Sequence, residues 1–471
     1  MASINPAFIE HITAQLPPHL NINDLINFSN KSLRPSIRVN TLKISNESLI
    51  QILEKKGYQL QGIPWCKNGF WITGGEDRSL GNLVEHLQGL FYIQEASSML
   101  PPVALFSEED DFTSILDMAA APGSKTTQIA AMMNNQGILI ANEYSSSRVK
   151  MLHANLVRMG VTNSAITHFD AEVFGEYLFE EFDAILLDAP CGGEGTVRKD
   201  EQALKEWRLS EVEAIAVKQK QLICSAFEAL KVGGTLVYST CTLSQEENQQ
   251  VCHHLKQSYP DAVEFISLHE LFEGADKSIT EEGFLHVWPQ TYDSEGFFIA
   301  KFKKTSAVKR SKNMPKPQRS FPFQTASKKQ VNEISEWLKA SYGIEFPDHS
   351  VLKVRDQQFW LFPKKFESFI GKMRFQRIGL KLAEQKGKHL KLSHEAATVL
   401  AVSREHKLDI SLAEASEYLK GRDIPLTVAT KAQGEKTLFL HNNSLGLAKH
   451  LGNKLKNNLP RDLVRDNATT Q

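Results

Sequence analysis

Two cysteines in this 471-residue chain stand where a thiol could do chemistry. Asp188-Ala189-Pro190-Cys191-Gly192-Gly193-Glu194-Gly195 follows one apolar run, and Ser239-Thr240-Cys241-Thr242 follows another. If the two runs are neighbouring parallel strands, about 4.8 Å apart, both thiols share one mouth of a sheet. Ser244-x-x-Glu247 has the spacing of a capping box, and a helix starting there would lower the Cys241 pKa through its N-terminal dipole. Cys66, Cys224 and Cys252 read as small buried hydrophobes. With no C-x-x-C pair, neither a disulfide framework nor a metal site is expected. Asp117, Glu143, Asp170 and Asp188 close successive apolar runs, and in open α/β sheets ligands bind beyond the carboxyl ends of the strands. A row of carboxylates suits hydroxyls, amines and a cationic ligand, but not a phosphate. Gly123-Ser124-Lys125-Thr126 also lacks the glycine that a P-loop sets directly before its lysine. S-adenosylmethionine fits this set, with ribose hydroxyls for Glu143, an adenine amine for Asp170 and a sulfonium tolerant of acids. A thiol beside a methyl donor suits carbon methylation of a pyrimidine. Addition of the thiolate at C6 turns the weakly nucleophilic C5 into an enamine carbon, so one hard step becomes two easier ones.

Those residues need elements to hold them. Residues 112–118 read as a strand that runs into the turn 119–125 and a helix to about Met133. Residues 138–143 read as a second strand, and Val149, Leu152, Leu156 and Met159 mark one face of the next helix. A third strand ends near Asp170, residues 182–188 are a fourth, and 235–241 run up to Cys241. Ile215, Leu222, Ile223, Phe227 and Leu230 mark a helix between those last two. Alternation of this kind over 112–302 predicts a mostly parallel sheet with helices on both faces. Lys303, Lys304, Lys309, Arg310, Lys312, Lys316 and Arg319 lie among Pro315, Pro317 and Pro322 with no acid, so 303–325 read as a linker. The expected division is 1–105, a core 106–302, the linker 303–325 and a C-terminal region 326–471.

A composition of 41% apolar and 23% charged residues excludes a disordered chain. No apolar run approaches the 18–20 or so residues of a membrane helix, and the first residues show no secretory pattern. A cytoplasmic protein without membrane contact is expected. The net charge of −1 hides an asymmetry: residues 1–300 carry 21 basic and 39 acidic side chains, and residues 301–471 carry 33 and 16. The basic half either meets a polyanion or is an ordinary basic surface. Phe359-Trp360-Leu361-Phe362-Pro363-Lys364-Lys365-Phe366 suits core strand packing better than base stacking.

The chain resembles the RNA cytosine-C5 methyltransferases of the NOL/NOP2/Sun type over about residues 30–302. The stretches that carry the likeness are 34–43, 94–99, 117–127, 188–195 and 238–242, in the family's order. The resemblance implies a Rossmann-like S-adenosylmethionine-dependent methyltransferase core with an N-terminal α+β RNA-binding subdomain. It implies that Ala119, Ala120, Ala121, Pro122, Gly123, Ser124, Lys125, Glu143, Asp170 and Asp188 bind S-adenosylmethionine and that no metal is used. Cys241 would be the nucleophile, Cys191 would assist release, and Asp188 would also face the base. Both cysteines together favour RNA over DNA. The stretch 288–300 keeps the Gly-Phe-Phe strand but lacks the His and the Asp-Gly pair of the family pattern. Residues 377–394 resemble the start of a PUA-like RNA-binding module, at about 375–471 of an α+β extension. That architecture implies action on a cytosine in the decoding region of 16S rRNA within the assembled 30S subunit, and a monomer is expected. A tRNA cytosine-C5 methyltransferase and a non-catalytic ribosome assembly factor are the alternatives.

Overall fold

The computed structural model describes residues 3–75, 79–107, 110–313, 315–318, 320–400, 402–428 and 431–470. Four strands precede the core: β1 (Ser36–Val39), β2 (Gln59–Ile63), β3 (Cys66–Gly74) and β4 (Phe91–Ile93) form an antiparallel sheet in the order β2-β3-β1-β4. The core then alternates as its sequence predicts. Strands β5 (Ser114–Asp117), β6 (Ile138–Asn142), β7 (Ser164–Thr167), β8 (Phe182–Asp188) and β9 (Leu230–Thr240) are parallel, in the order β7-β6-β5-β8-β9. Past β9 the core sheet turns antiparallel, with β10 (Val263–Ile266), β11 (Leu285–Val287) and β12 (Phe297–Lys304), β12 pairing with β9, β10 and β11.

Both faces of this sheet are covered, which is why its strands are continuous apolar runs. Successive residues point to opposite faces. Ile115, Leu139, Ala141 and Leu186 enter one buried cluster with Ile129, Leu152 and Leu156 from the helices Ser124–Met132 and Ser146–Met159. Leu116, Ile140, Ile185 and Leu187 enter the other with Leu222, Ile223, Val251 and Leu255 from the helices Leu209–Ala229 and Gln249–Ser258. Chain order reverses between β5 and β8, so the crevice at their carboxyl ends is the switch point of the fold.

Two C-terminal sheets follow. β13 (Gln324–Thr325), β14 (Ser350–Arg355), β15 (Gln358–Pro363), β17 (Leu380–Lys386) and β18 (His389–Leu392) form one, beside the helix Lys328–Tyr342. Between β15 and β17, the short strand β16 (Arg377–Ile378) leaves that sheet and pairs antiparallel with β7, extending the core. The other sheet contains β19 (Lys407–Asp409), β20 (Ile424–Pro425), β21 (Gly434–Leu440), β22 (Asn443–His450) and β23 (Lys454–Asn457). No helix among the described residues is long and apolar enough to cross a membrane.

Two expectations need correction. Residues 377–394 do not open the last module; they complete the β13–β15 sheet and the core edge. The ends of the stretch 303–325 are packed rather than free: Lys304 is the buried last residue of β12, donating to the Phe227 and Leu230 carbonyls and pairing with Glu180. Phe321 and Phe323 pack against the core aromatics. Arg319 lies outside the described residues. The cations of 34–43 are absorbed by the fold. Arg34 stacks on Trp71 and pairs with Asp293, Arg38 is buried and donates to Thr127, and Lys43 donates to the Gln88 and Arg158 carbonyls. Phe359, Leu361, Phe362 and Phe366 are buried, as core packing requires, and are closed to base stacking.

Candidate active site

β8 and β9 pair in parallel, with Asp188 opposite Ser239. The chain leaves both strands at the same end, and the sulfurs of Cys191 and Cys241 lie 3.2 Å apart. The loops that carry them are tied directly, since the Gly195 amide donates to the Cys241 carbonyl at 2.9 Å. Gly195 must be glycine: a Cβ there would lie 2.1 Å from the Gly296 carbonyl oxygen. The Gly296 amide in turn donates to the Gly195 carbonyl, which docks the Gly-Phe-Phe strand on the Cys191 loop.

Two buried carboxylates bind these loops to one another. Glu194, from the Cys191 loop, accepts from the Leu243 and Ser244 amides, the Thr242 and Ser244 hydroxyls and the Trp207 indole, all at 2.6–2.9 Å. Glu247, from the segment after Cys241, accepts from the Gly192 amide at 3.0 Å and from the Gln219 amide group at 2.7 Å. That same Gln219 nitrogen donates to the Pro190 carbonyl. Asn248 brackets Cys241, accepting from the Thr240 hydroxyl and donating to the Thr242 carbonyl. So the expected capping box does not form, because Ser244 and Glu247 spend their polar atoms on the Cys191 loop. The next helix along the chain begins at Gln249 rather than directly after Cys241. Cys191 is held well above its usual thiol range, first by its hydrogen bond with Cys241, then by burial and the nearby Glu247 charge. Cys66 and Cys252 are buried as expected, and Cys224 is half-buried on its helix.

The four strand-end acids meet the crevice unequally. Asp117 is buried, accepts from Thr126 at 2.6 Å and keeps one oxygen without a partner. Burial, with a smaller push from Asp188, raises its pKa to about 7. Glu143 is buried at the end of β6, accepting from the Ala121 amide at 3.3 Å and the Ser145 amide at 2.8 Å. Asp188 accepts from Ser239 at 2.7 Å and from Lys125 at 2.7 Å. Asp170 sits at the rim, 41% exposed and paired with Lys218, which offsets burial and leaves its pKa lowered. Ala119 to Gly123 form the floor between Asp117 and the helix that starts at Ser124. The Ala120 amide donates to the Asn142 carbonyl, and Gly123 takes the left-handed φ of +107° at the helix start. Lys125 turns its ammonium away from that floor to Asp188 and Ser98, over the Phe297 ring.

This acceptor-rich set fits S-adenosylmethionine. Its orphaned Asp117 oxygen and the spare lone pairs of Glu143 face hydroxyl and amine donors well and would repel a phosphate. Among the described residues no group of three or more His, Cys, Asp or Glu side chains could hold a metal ion. Sequence reasoning missed the roles of Glu194, Gln219 and Asn248 and gave Glu247 a local cap in place of its tie to the Cys191 loop. It also missed the role of the helix Pro6–Gln15, whose Gln15 accepts from the Gln245 amide and donates to Glu246. The only signal for these was polarity inside apolar surroundings.

Known proteins share this outline. A family profile described as 16S rRNA methyltransferase RsmB/F matches residues 102–303. Profiles for the N-terminal domain of 16S rRNA methyltransferase RsmF, for a pre-PUA domain and for a PUA domain of ribosomal RNA small subunit methyltransferase F match residues 4–96, 323–400 and 405–465. Ribosomal RNA small subunit methyltransferase F of Shewanella oneidensis is 60% identical over 99% of this chain and 98% of its own. The Shewanella piezotolerans protein of the same name is also 60% identical, over 99% and 98%. A methyltransferase homologue from Pyrococcus horikoshii is 34% identical, with a TM-score of 0.52 over 64% of this chain and all of its own. NSun6 from Pyrococcus horikoshii, solved with SFG, an S-adenosylmethionine analogue, is 26% identical, with a TM-score of 0.57 over 65% of this chain and all of its own.

Proposed function

Because the chain belongs to the ribosomal RNA small subunit methyltransferase F family of 16S rRNA methyltransferases, we propose that it methylates C5 of a cytosine in 16S rRNA through a covalent bond from Cys241 to C6. The observation that carries this reading is the pair of sulfurs 3.2 Å apart at the mouth of β8 and β9, beside a crevice built for a cationic methyl donor. A methyltransferase acting on nitrogen or oxygen needs neither thiol.

The target base is inaccessible in a stack and is drawn out into the crevice. The Cys241 thiolate adds to C6, and the electron pair of the C5–C6 double bond moves to C5. Asp188, fixed by Ser239 and Lys125, holds the protonated pyrimidine ring. S-adenosylmethionine would be held by Ala119 to Lys125, Glu143, Asp170 and Asp188, together with Asp117, and would supply the electrophilic methyl group that C5 takes. A water molecule takes the C5 proton, the electron pair of that C–H bond re-forms the C5–C6 double bond, and the Cys241 sulfur leaves C6 with its bonding pair as thiolate. Cys191, kept protonated by its surroundings, is a hydrogen donor 3.2 Å from the departing sulfur and so assists release. The substrate is the decoding region of the assembled 30S subunit. The subdomain to about residue 105 and the basic region from 326, with its PUA-type sheet, hold the RNA to a monomeric enzyme.

A covalent trap tests the chemistry. Wild type, Cys191→Ala and Cys241→Ala are mixed with S-adenosylmethionine and 30S subunits lacking the modification, then run on a denaturing gel. A protein–RNA adduct should accumulate in Cys191→Ala alone. An adduct only in Cys241→Ala would reverse the two roles.

A further inference from the structure

We propose that Glu194 and Glu247 are positioning residues: a reciprocal carboxylate clamp, completed by Gln219, that fixes the two sulfurs at their working separation. Each carboxylate belongs to one cysteine loop and receives hydrogen bonds from the other. Glu194 lies three residues past Cys191 and gathers the backbone just past Cys241 through Leu243 and Ser244. Glu247 lies six residues past Cys241 and holds the amide next to Cys191 through Gly192. Gln219 joins the halves with one nitrogen, 2.9 Å from the Pro190 carbonyl and 2.7 Å from Glu247.

The arrangement is costly for an ordinary loop tie. Buried carboxylates lose their hydration, and only a full set of donors offsets that loss. Glu194 has five donors within 2.9 Å, so its burial is compensated. Glu247 has fewer, and burial raises its pKa to about 7. A neutral side chain would tie the loops at lower cost. Glu194 instead makes short, directional bonds to two backbone amides, and with the Glu247 bonds running the opposite way it resists sliding of one loop past the other. Gly192 shows how closely it is fitted, since a Cβ there would lie 2.8 Å from the Glu247 oxygen. The covalent mechanism needs this rigidity. Cys241 must reach C6 while Cys191 stays in contact with the same sulfur, and a small displacement separates the two tasks.

The inference rests on the reading of Cys241 as nucleophile, so its test uses one measurement that involves no methyl transfer. An azodicarboxamide oxidant is added to the full-length protein. It takes one hydrogen from each thiol, is reduced to its hydrazine, and leaves a Cys191–Cys241 disulfide whose rate of formation reports the sulfur separation. Wild type, Glu247→Gln and Gln219→Met are compared, with S-adenosylhomocysteine affinity as the measure of an intact crevice. If Glu247→Gln fails to fold, Gln219→Met carries the test alone. The clamp predicts slower disulfide formation with unchanged S-adenosylhomocysteine affinity. It also predicts a kcat about 100-fold lower, the usual effect of ångström-scale misplacement, at an unchanged KM for RNA. Disulfide formation at the wild-type rate in the folded variants would overturn it, whatever turnover does. If the covalent trap finds no Cys241 adduct, the reading of the nucleophile fails while the cross-linking result still decides the clamp.

Discussion

Asp117 is the most heavily perturbed carboxyl of the crevice, and its titration has a consequence that stability measurements can read. Burial raises its pKa from 3.8 to about 7 in the folded protein. The fold thus prefers the protonated form, and the stability linked to it is present below the unfolded pKa and lost as pH rises through 7. Asparagine keeps the shape and cannot ionise. Asp117→Asn should therefore gain in melting temperature relative to wild type as pH rises from 5 to 7, and the gap should level off above pH 8. Calorimetry across that range checks it, at about 2–4 °C for each kcal/mol in a domain of this size. A constant gap would mean that Asp117 does not titrate there. At this scale Cys191, Cys241 and Asp188 were legible because each lies at or just past the end of an apolar run, so strand ends place them without knowledge of the loops. Glu194, Glu247 and Gln219 were not. Their partners are backbone and side-chain groups that include other segments of the chain, which leave no spacing pattern, and Ser244-x-x-Glu247 even mimicked a local cap.

The elements show the same divide. The parallel strands could be read because burial on both faces makes them unbroken apolar runs. The helix expected after Cys241 starts at Gln249 instead, since tertiary hydrogen bonds outcompete the local cap. The helix Pro6–Gln15 gave no hint of its duty. Its Phe8 and Ile12 are buried with Leu204, Leu243 and Trp288, and Phe8 meets the Trp207 ring edge-on at 5.7 Å. Trp207 is also a donor to Glu194, so this helix braces the cysteine loops from behind. Phe8→Ala should cost about 3–5 kcal/mol, the usual range for emptying a buried aromatic site, and should slow methyl transfer beyond what the unfolded fraction accounts for. Denaturant unfolding beside single-turnover assays would check both parts. Normal turnover per folded molecule would confine the helix to a stabilising role.

For the whole molecule, charge is the feature that sequence made plainest, and its placement is what sequence could not give. The cations of residues 34–43 turned inward, whereas the β17–β18 hairpin carries Lys386, Lys388 and Lys391 exposed to solvent. Changing all three to glutamine should lower the slope of log Kd against log salt for a 16S rRNA fragment by about 2, at about 0.7 for each single-strand phosphate that is no longer neutralised. An unchanged slope would place the RNA-binding cations elsewhere. Simple truncation at residue 326 is a poor substitute, because Phe362, Phe366, Phe369 and Met373 belong to the core cluster. That long-range return also bears on biosynthesis. β7 ends at Thr167, but β16, the strand that covers its edge, begins at Arg377. At about 5–20 residues per second, a growing chain holds β7 open for roughly 10–40 s before its cover emerges. An uncovered strand is a template for pairing with another chain, so crowded polysomes are where this protein is most exposed to misassembly.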